Sequence, residues 1–586
     1  MVILLLGNEA IAYGALAGGL AVATAYPGTP STEILETLME FRDRAVHWAA
    51  NEKTAFEIAY GASLAGARSL VAMKHVGLNV AADPLHSAAY TGVEGGFLVV
   101  TADDPAMHSS QNEQDTRWYG LQAYIPVLEP ADPAEAYRYA KMGLELSEKL
   151  RHPLMLRSVT RVSHVRAPLE VEPPSPPKWG RFVKNSRWVL LPAYARERKR
   201  ELMEKWLQIQ EVSKEFLTVE GAGEVVIVAT GVAYIYVKEA LSRLKIGAKI
   251  VKLGISVPVP RGALEHIGRK AVVVEEGDPV VELQLRALGV STRGKLDGYF
   301  PKVGELDVGK AAEGLAKALD IPYQKTPPPK PPLAPPPRPP VLCPGCPHMG
   351  TFYILKIATA GLKPVWAGDI GCYSLGIHTG QQDLVTHMGS SVGLGMGLAL
   401  SGHFVVATVG DSTFFHTVLP QLVDVVSRSI PLLIVVMDNK YTAMTGGQPS
   451  PSQNLAIEKI TEAFGIPTFV IDPAYLKKSV EVVKKAVEIV KNGKPAAVVS
   501  KRPCVLAAVR KARRVGVKTP TYHVKTELCT NCGICYNQLR CSAISRREKA
   551  HIDPTLCVGC GMCAEICPTS AIEGRRETWL EIWQQT

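Results

Sequence analysis

Short continuous apolar runs alternate with amphipathic stretches over most of this chain. Val2–Leu6, Leu70–Met73 and Phe97–Thr101 read as strands with helices between them. Unbroken apolar runs of strand length, each followed by a helical period, predict a mostly parallel α/β sheet. The pattern recurs at Val225–Thr230, Lys249–Leu253 and Ala271–Glu275, and again at Phe404–Val409, Leu432–Asp438 and Ala496–Ser500. Residues 185–215 read as charged helix, 520–573 as a short Cys-rich segment, and 574–586 as a short helix or tail. The first twenty residues lack a basic leader and Glu9 interrupts their apolar run, so a strand, a Gly turn and a helix describe them better than a signal peptide does. No run of 18 or more apolar residues follows, and no membrane span is expected.

Proline punctuates the pattern. Thr326–Pro340 is dense enough in Pro to form an extended spacer without a core, and Val171–Gly180 is a weaker break. With 586 residues, several domains are expected. The formal charge of +10 would point to an anionic partner. However, anionic metal–thiolate centres would offset much of that charge. No basic run is interleaved with aromatics, and no nucleic-acid partner is expected. Twelve cysteines argue for metal ligation in a reducing cytoplasm rather than for disulfides.

Eight of those cysteines form two runs. The first is Cys529, Cys532, Cys535 and Cys541; the second is Cys557, Cys560, Cys563 and Cys567, followed by Pro568. Three thiolates at two-residue gaps wrap one cubane, and the fourth of each run reaches the other cluster. This spacing assigns Cys529, Cys532, Cys535 and Cys567 to one cluster, and Cys557, Cys560, Cys563 and Cys541 to the other. The first run departs from the usual pattern: five residues precede Cys541, and Ser542 replaces the usual Pro, which puts a full cubane at Cys541 in question. A pair of zinc ribbons is the competing reading.

A second constellation lies upstream. The strand Phe404–Val409 ends in Gly410-Asp411-Ser412, and the next strand ends in Asp438-Asn439, with 27 residues between Asp411 and Asn439. Open α/β sheets bind ligands at the carboxyl ends of their strands. Asp411, the Asn439 amide oxygen and the Tyr441 carbonyl would give Mg2+ three oxygens, with diphosphate and water completing six. Gly410 would let the backbone approach a phosphate.

In this order, the strings YPGTPSTE (Tyr26–Glu33), NEKTAFEIAYGASLAG (Asn51–Gly66), CPGCPHM (Cys343–Met349), GDIGCYSLG (Gly368–Gly376), GDSTFFH (Gly410–His416) and DNKYTAMTGGQP (Asp438–Pro449), together with the dicluster tail, carry a resemblance. The chain resembles the 2-oxo-acid:ferredoxin oxidoreductases that use thiamine diphosphate, and within them the alpha subunits of the indolepyruvate branch. The resemblance implies an α/β multidomain fold. It has a thiamine pyrimidine-binding domain at 1–175, a helical connector at 176–220, a transketolase C-terminal-like α/β domain at 221–322 and a Pro-rich linker at 323–340. A diphosphate- and magnesium-binding domain follows at 341–515, then an α+β dicluster ferredoxin-like domain at 520–575 and a tail at 576–586.

By the same resemblance, Glu52 is the acid that serves the aminopyrimidine ring, and Thr29 contacts the substrate carboxylate. Without it, Glu52 is a dipole partner at a helix start and Thr29 a turn residue before Pro30. His348 and His387 lie near the cofactor segment without an assigned role. Cys343, Cys346, Cys372 and Cys504 match the cysteines that hold a third cluster near the thiazolium in pyruvate members; otherwise they are four small buried hydrophobes. The implied reaction is oxidative decarboxylation of aryl 2-oxo acids to aryl-acetyl-CoA with reduction of ferredoxin. A separate smaller beta subunit is the implied partner. Pyruvate or another 2-oxo acid is the nearest alternative. A non-redox thiamine lyase has no use for the dicluster tail, and a bare electron-transfer scaffold has none for Glu52, Asp411 and Asn439.

Overall fold

A computed structural model describes residues 1–41, 45–324, 333, 335–336, 338–575 and 577–584. Most of the proline-rich stretch Thr326–Pro340 therefore lies outside the described residues. The chain divides into two compact units, Met1–Pro331 and Pro332–Thr586.

The first unit holds two main sheets. In the larger, Val46–Trp48, Val22–Ala25, Ser69–Lys74, Phe97–Asp103, Leu154–Val159 and Val127–Leu128 run parallel, in that spatial order. Their residues are almost all buried, which is why their sequences show no polar alternation. A seventh strand, Ile255–Val257, joins antiparallel to Val127–Leu128. It comes from the segment expected to be a separate domain, so the 221–322 region is stitched into the first sheet. The smaller sheet has Lys249–Leu253, Val226–Thr230, Lys270–Val274 and Ser291–Arg293 in parallel, with Leu217–Glu220 antiparallel at one edge.

Buried ion pairs reinforce that stitch. Arg117 reaches Asp115 at 2.6 Å and Glu275 at 2.8 Å; Arg157 reaches Asp103 at 2.6 Å and Glu129 at 2.7 Å. Val171–Gly180 is not a free spacer. The Ser175 and Lys178 N–H groups donate to the Leu16 and Gly19 carbonyls, and Arg68 N–H donates to the Lys178 carbonyl. The charged helix spans Pro192–Val212 and buries Arg198, Leu202 and Ile209.

The second unit has a five-stranded sheet in the order Val365–Ala367, Val405–Gly410, Leu433–Asp438, Ala496–Lys501 and Thr468–Ile471, parallel throughout. The helix after Asp411 contains a π-helical turn at Phe414–Val418 before Leu419–Ser427. Pro420 falls there and has no N–H to offer the preceding turn.

The Cys-rich tail adds two short antiparallel pairs, His523–Val524 with Ile572–Glu573 and Ile544–Arg546 with Ala550–Ile552. The tail has no core of its own. Leu539, Ile544 and Met562 belong to one apolar cluster with Val435, Val498 and Phe352 of the sheet domain. So short a segment cannot bury enough apolar surface alone. The last residues form a helix, Glu577–Gln584, with Trp579 and Trp583 buried. No described helix is long and apolar enough to cross a membrane.

Candidate active site

Because the second unit's strands are parallel, their carboxyl ends share one edge, the place where open sheets bind ligands. Val405–Gly410 runs into Asp411 and Ser412, Leu433–Asp438 into Asn439 and Tyr441, Ala496–Lys501 into Cys504, and Val365–Ala367 into Asp369 and Cys372. At Gly410 a Cβ would lie 2.4 Å from a ring carbon of Tyr373, so only glycine fits.

Asp411 is buried, and its Oδ2 accepts from Ser452 Oγ at 3.0 Å. The same hydroxyl lies 2.8 Å from Asp438 Oδ1. One hydroxyl hydrogen cannot serve both carboxylates at once. Burial and the neighbouring Asp438 charge push Asp411 up to about 7. A buried acid crowded by another acid is relieved by a bound cation, so these residues fit a hard divalent ion.

Asn439 is held from both sides. Its Oδ1 accepts from the Tyr441 N–H at 3.0 Å, and its amide nitrogen donates to His348 Nε2 at 3.1 Å. The oxygen keeps a second lone pair for a cation. Burial pushes His348 down to about 4, in keeping with a neutral imidazole that accepts at Nε2. Ser412 Oγ and Thr442 Oγ1 stand 2.5 Å apart and tie the two loops together.

Asp369 was not singled out from the sequence, although it lies in GDIGC. It accepts from the Gly389 N–H at 2.7 Å and the Ser391 N–H at 3.0 Å, fixing the start of helix Ser390–Leu400. The buried Ser390 hydroxyl at that start has no partner among the described residues. A donor left over at a helix N-terminus suits an oxyanion of the diphosphate kind.

The four remaining thiols converge from separate segments. The Cys504 N–H donates to the Asn439 carbonyl at 2.8 Å, and the Cys346 N–H donates to the Cys343 carbonyl at 3.0 Å. Burial, then the nearby Cys504 and Cys343 thiols, push Cys372 up to about 12. Burial raises Cys346 well above its ordinary value, with Cys372, Cys343 and Cys504 adding to it.

In the tail, no three described His, Cys, Asp or Glu side chains meet at the spacing of a single metal ion. The thiols line two cavities instead. One is bounded by Cys529, Cys532, Cys535 and Cys567. The other is bounded by Cys541, Cys557, Cys560 and Cys563, with Pro344 and Gly345. Each fourth cysteine has crossed to the other run. Burial pushes the Cys541 thiol up, against hydrogen bonds from the Ala543 and Gly345 N–H groups. Gly345 has φ +70°, and a Cβ there would lie 2.3 Å from Val558 Cγ2. Ser542, in place of the usual Pro, donates to the Leu342 carbonyl at 3.0 Å. The Cys541 loop is therefore tied to the Cys343–Cys346 loop. Cys532 is exposed, whereas Cys541, Cys560 and Cys563 are buried.

In the first unit, Thr29 and Glu52 follow the adjacent parallel strands Val22–Ala25 and Val46–Trp48, again at a carboxyl edge. Glu52 opens helix Glu52–Leu64, whose N-cap Asn51 accepts from the Thr54 N–H at 2.8 Å. Glu52 is 6% exposed. A Cβ on Gly77 would lie 2.5 Å from Glu52 Oε1, so Gly77 makes room for the carboxylate. The Thr29 carbonyl accepts from Ser109 Oγ at 3.2 Å, and Lys74 Nζ donates to the Ser109 carbonyl at 2.6 Å. Gly77, Ser109 and Ser452 carry no motif of their own, and Asp438, though it opens the DNKYTAMTGGQP string, has no role assigned from the sequence. His387 is exposed beside Thr386.

Three family models match. "Pyruvate flavodoxin/ferredoxin oxidoreductase, thiamine diP-bdg" covers residues 13–187, "Thiamine pyrophosphate enzyme, C-terminal TPP binding domain" covers 369–500, and "4Fe-4S binding domain" covers 550–573. The chain is 44% identical to the indolepyruvate oxidoreductase subunit IorA of Archaeoglobus fulgidus, over 92% of each chain. It is 41% identical to the subunit of the same name from Thermococcus kodakarensis, again over 92% of each. The chain belongs to the IorA family. As a member, it carries thiamine-diphosphate-binding domains and an iron–sulfur domain. The 4Fe-4S match includes Cys557, Cys560, Cys563 and Cys567. In this IorA-family chain, Asp411, Asn439, Tyr441, Cys372 and Asp369 fall inside the thiamine match, and Thr29 and Glu52 inside the oxidoreductase match.

Proposed function

We propose that the chain is the catalytic subunit of an enzyme that oxidatively decarboxylates aryl 2-oxo acids, of the indolepyruvate and phenylpyruvate type. The products are an aryl-acetyl-CoA, carbon dioxide and reduced ferredoxin. Relatives named indolepyruvate oxidoreductase, aligned over nine-tenths of both chains, support the substrate class. The observation that carries the reading is one sheet edge that bears both Asp411–Asn439 and the thiols Cys372 and Cys504.

When bound, thiamine diphosphate supplies the carbanion chemistry that releases carbon dioxide from a 2-oxo acid. Asp411, the Asn439 amide oxygen and the Tyr441 carbonyl hold Mg2+ for its diphosphate. The Glu52 carboxyl holds a proton at the aminopyrimidine ring, and Thr29 orients the substrate carboxylate. Cys343, Cys346, Cys372 and Cys504 hold an inner 4Fe-4S cluster, the Cys541 set a middle one and the Cys529 set an outer one. The Gly345–Cys541 contact joins inner to middle, and exposed Cys532 marks the outlet to ferredoxin. The enzyme is completed by a smaller beta subunit and works in the reducing cytoplasm.

The test is an anaerobic substrate screen of the co-purified two-subunit complex, following ferredoxin reduction. Indolepyruvate and phenylpyruvate should give the highest kcat/KM. Preference for pyruvate would move the enzyme to another branch of the family. Aldehyde release without ferredoxin reduction would make it a lyase. Full coenzyme-A-dependent activity of this chain alone would remove the beta subunit from the reading.

A further inference from the structure

A cavity of about 420 Å³ in the second unit lies between Tyr441, Gly447 and Cys504 on one side and Arg510, Lys511 and Arg514 on the other. From Lys501 to Lys525 the chain has eight Lys or Arg and no acid. Lys501 pairs with Glu458, Arg502 with Asp472 and Lys525 with Glu573, and Lys511 also has a partner. No described carboxylate pairs with Arg510 or Arg514. Helix Val505–Arg514 buries Val505, Ala508 and Ala512, which leaves Arg510 and Arg514, four residues apart, stacked on one outward face.

Part of the facing wall is bare backbone, at Gly446 and Gly447. Gly447 has φ +93°, and a Cβ there would lie 3.8 Å from Arg510 Nη1, so the guanidinium sits over the bare backbone of Gly446 and Gly447, with Tyr441 and Ala443 beside it. Concave walls with convergent cations suit a compact polyanion, and guanidinium groups bind phosphate oxygens in pairs. A flat acidic protein surface would not enter such a cleft. The cavity opens beside Tyr441 and Cys504, so an anion seated in it is anchored next to the reacting edge while the rest of the molecule reaches inward.

We propose that Arg510, Lys511 and Arg514 seat the phosphates of the acyl-accepting thiol carrier. The inference rests on the function proposed above, in which that carrier is coenzyme A, a molecule with its thiol at one end and its phosphates at the other.

The test is calorimetric titration of the anaerobic two-subunit complex with coenzyme A and with 3′-dephospho-coenzyme A. The Arg510→Gln/Arg514→Gln double variant should bind coenzyme A at least tenfold more weakly than wild type. It should also lose most of the wild-type preference for the 3′-phosphorylated form. Arg513→Gln, on the same helix but outside the cavity lining, should bind as wild type does. Iron content and the visible spectrum of each variant report whether the fold is intact. Wild-type binding in the double variant would overturn the proposal and leave the enzyme's function standing. So would equal weakening by Arg513→Gln, which would mean diffuse charge, or a raised KM for ferredoxin alone, which would mean a protein dock. Absence of coenzyme A binding to the wild-type complex, with no coenzyme-A-dependent turnover, would overturn both.

Discussion

The backbone N–H of Cys504 donates to the carbonyl of Asn439 at 2.8 Å. A residue proposed to hold magnesium and a thiol proposed for the inner cluster are thus joined main chain to main chain. That bond couples the two strand ends, which suits a site where an electron donor and its acceptor must keep a fixed separation.

Replacing Cys504 with Ser keeps that backbone bond and removes the thiol. The expected result is a chain that folds, retains the tail clusters and loses about four iron atoms. Iron analysis and low-temperature electron paramagnetic resonance check it. Unchanged iron would remove Cys504 from the inner set.

The crossed arrangement of the tail makes a pairwise prediction. Cys567→Ser should alter the same resonance signal as Cys532→Ser, and Cys541→Ser the same signal as Cys557→Ser. If Cys567→Ser instead perturbs the signal of Cys557, the ligands follow sequence order and the cavities have been misread.

Gly77 exists to leave space for Glu52. Gly77→Ala should displace the carboxylate and lower kcat by about 10²-fold or more, in line with the loss of a positioned acid–base group. Glu52→Gln should fall at least as far. Near-normal kcat in Gly77→Ala would show that Glu52 is not held for catalysis.

The C-terminal helix is attached to the same region. Trp583 Nε1 donates to the Pro503 carbonyl at 2.7 Å, and its ring lies under the Arg502 guanidinium at 4.9 Å. Trp583→Ala should cost about 3–5 kcal/mol by loss of a buried aromatic. It should also speed loss of the Cys504 cluster in air. Thermal unfolding and bleaching of the visible band measure these effects. Wild-type values for both would make the helix dispensable.

Lys74 gives a pH dependence. Burial lowers it from 10.5 to about 8, with Asp104 opposing. Between those values the unfolded chain binds the proton and the folded one does not, so this group's contribution to stability rises with pH. Compared with Lys74→Met, the wild type should gain on the order of 2 kcal/mol between pH 8 and 10.5, after allowing for residual solvent screening. Paired melting curves across that range check it, and a difference independent of pH would refute it.

The chemistry of this protein is written locally. Cysteine spacing, a Gly-Asp at one strand end and an Asn at the next each lie within a few residues, so the sequence alone specified the parallel sheets and the thiamine–ferredoxin family, and it marked the thiols and the residues proposed for magnesium. The predicted strands stand within a residue or two of their observed ends; most are fully buried and need unbroken apolar runs, whereas Val2–Leu6 is largely exposed and pairs antiparallel with Arg166–Glu170. Tertiary structure alone decided the partners that come from far along the chain. Ser452 reaches Asp411, Gly345 meets Cys541, Gly77 clears Glu52, and Ile255–Val257 joins a sheet whose other strands all lie before Thr160. None of these contacts has a periodicity or a motif to announce it. Each arises only when packing brings two remote segments within reach, and that packing is a property of the whole core.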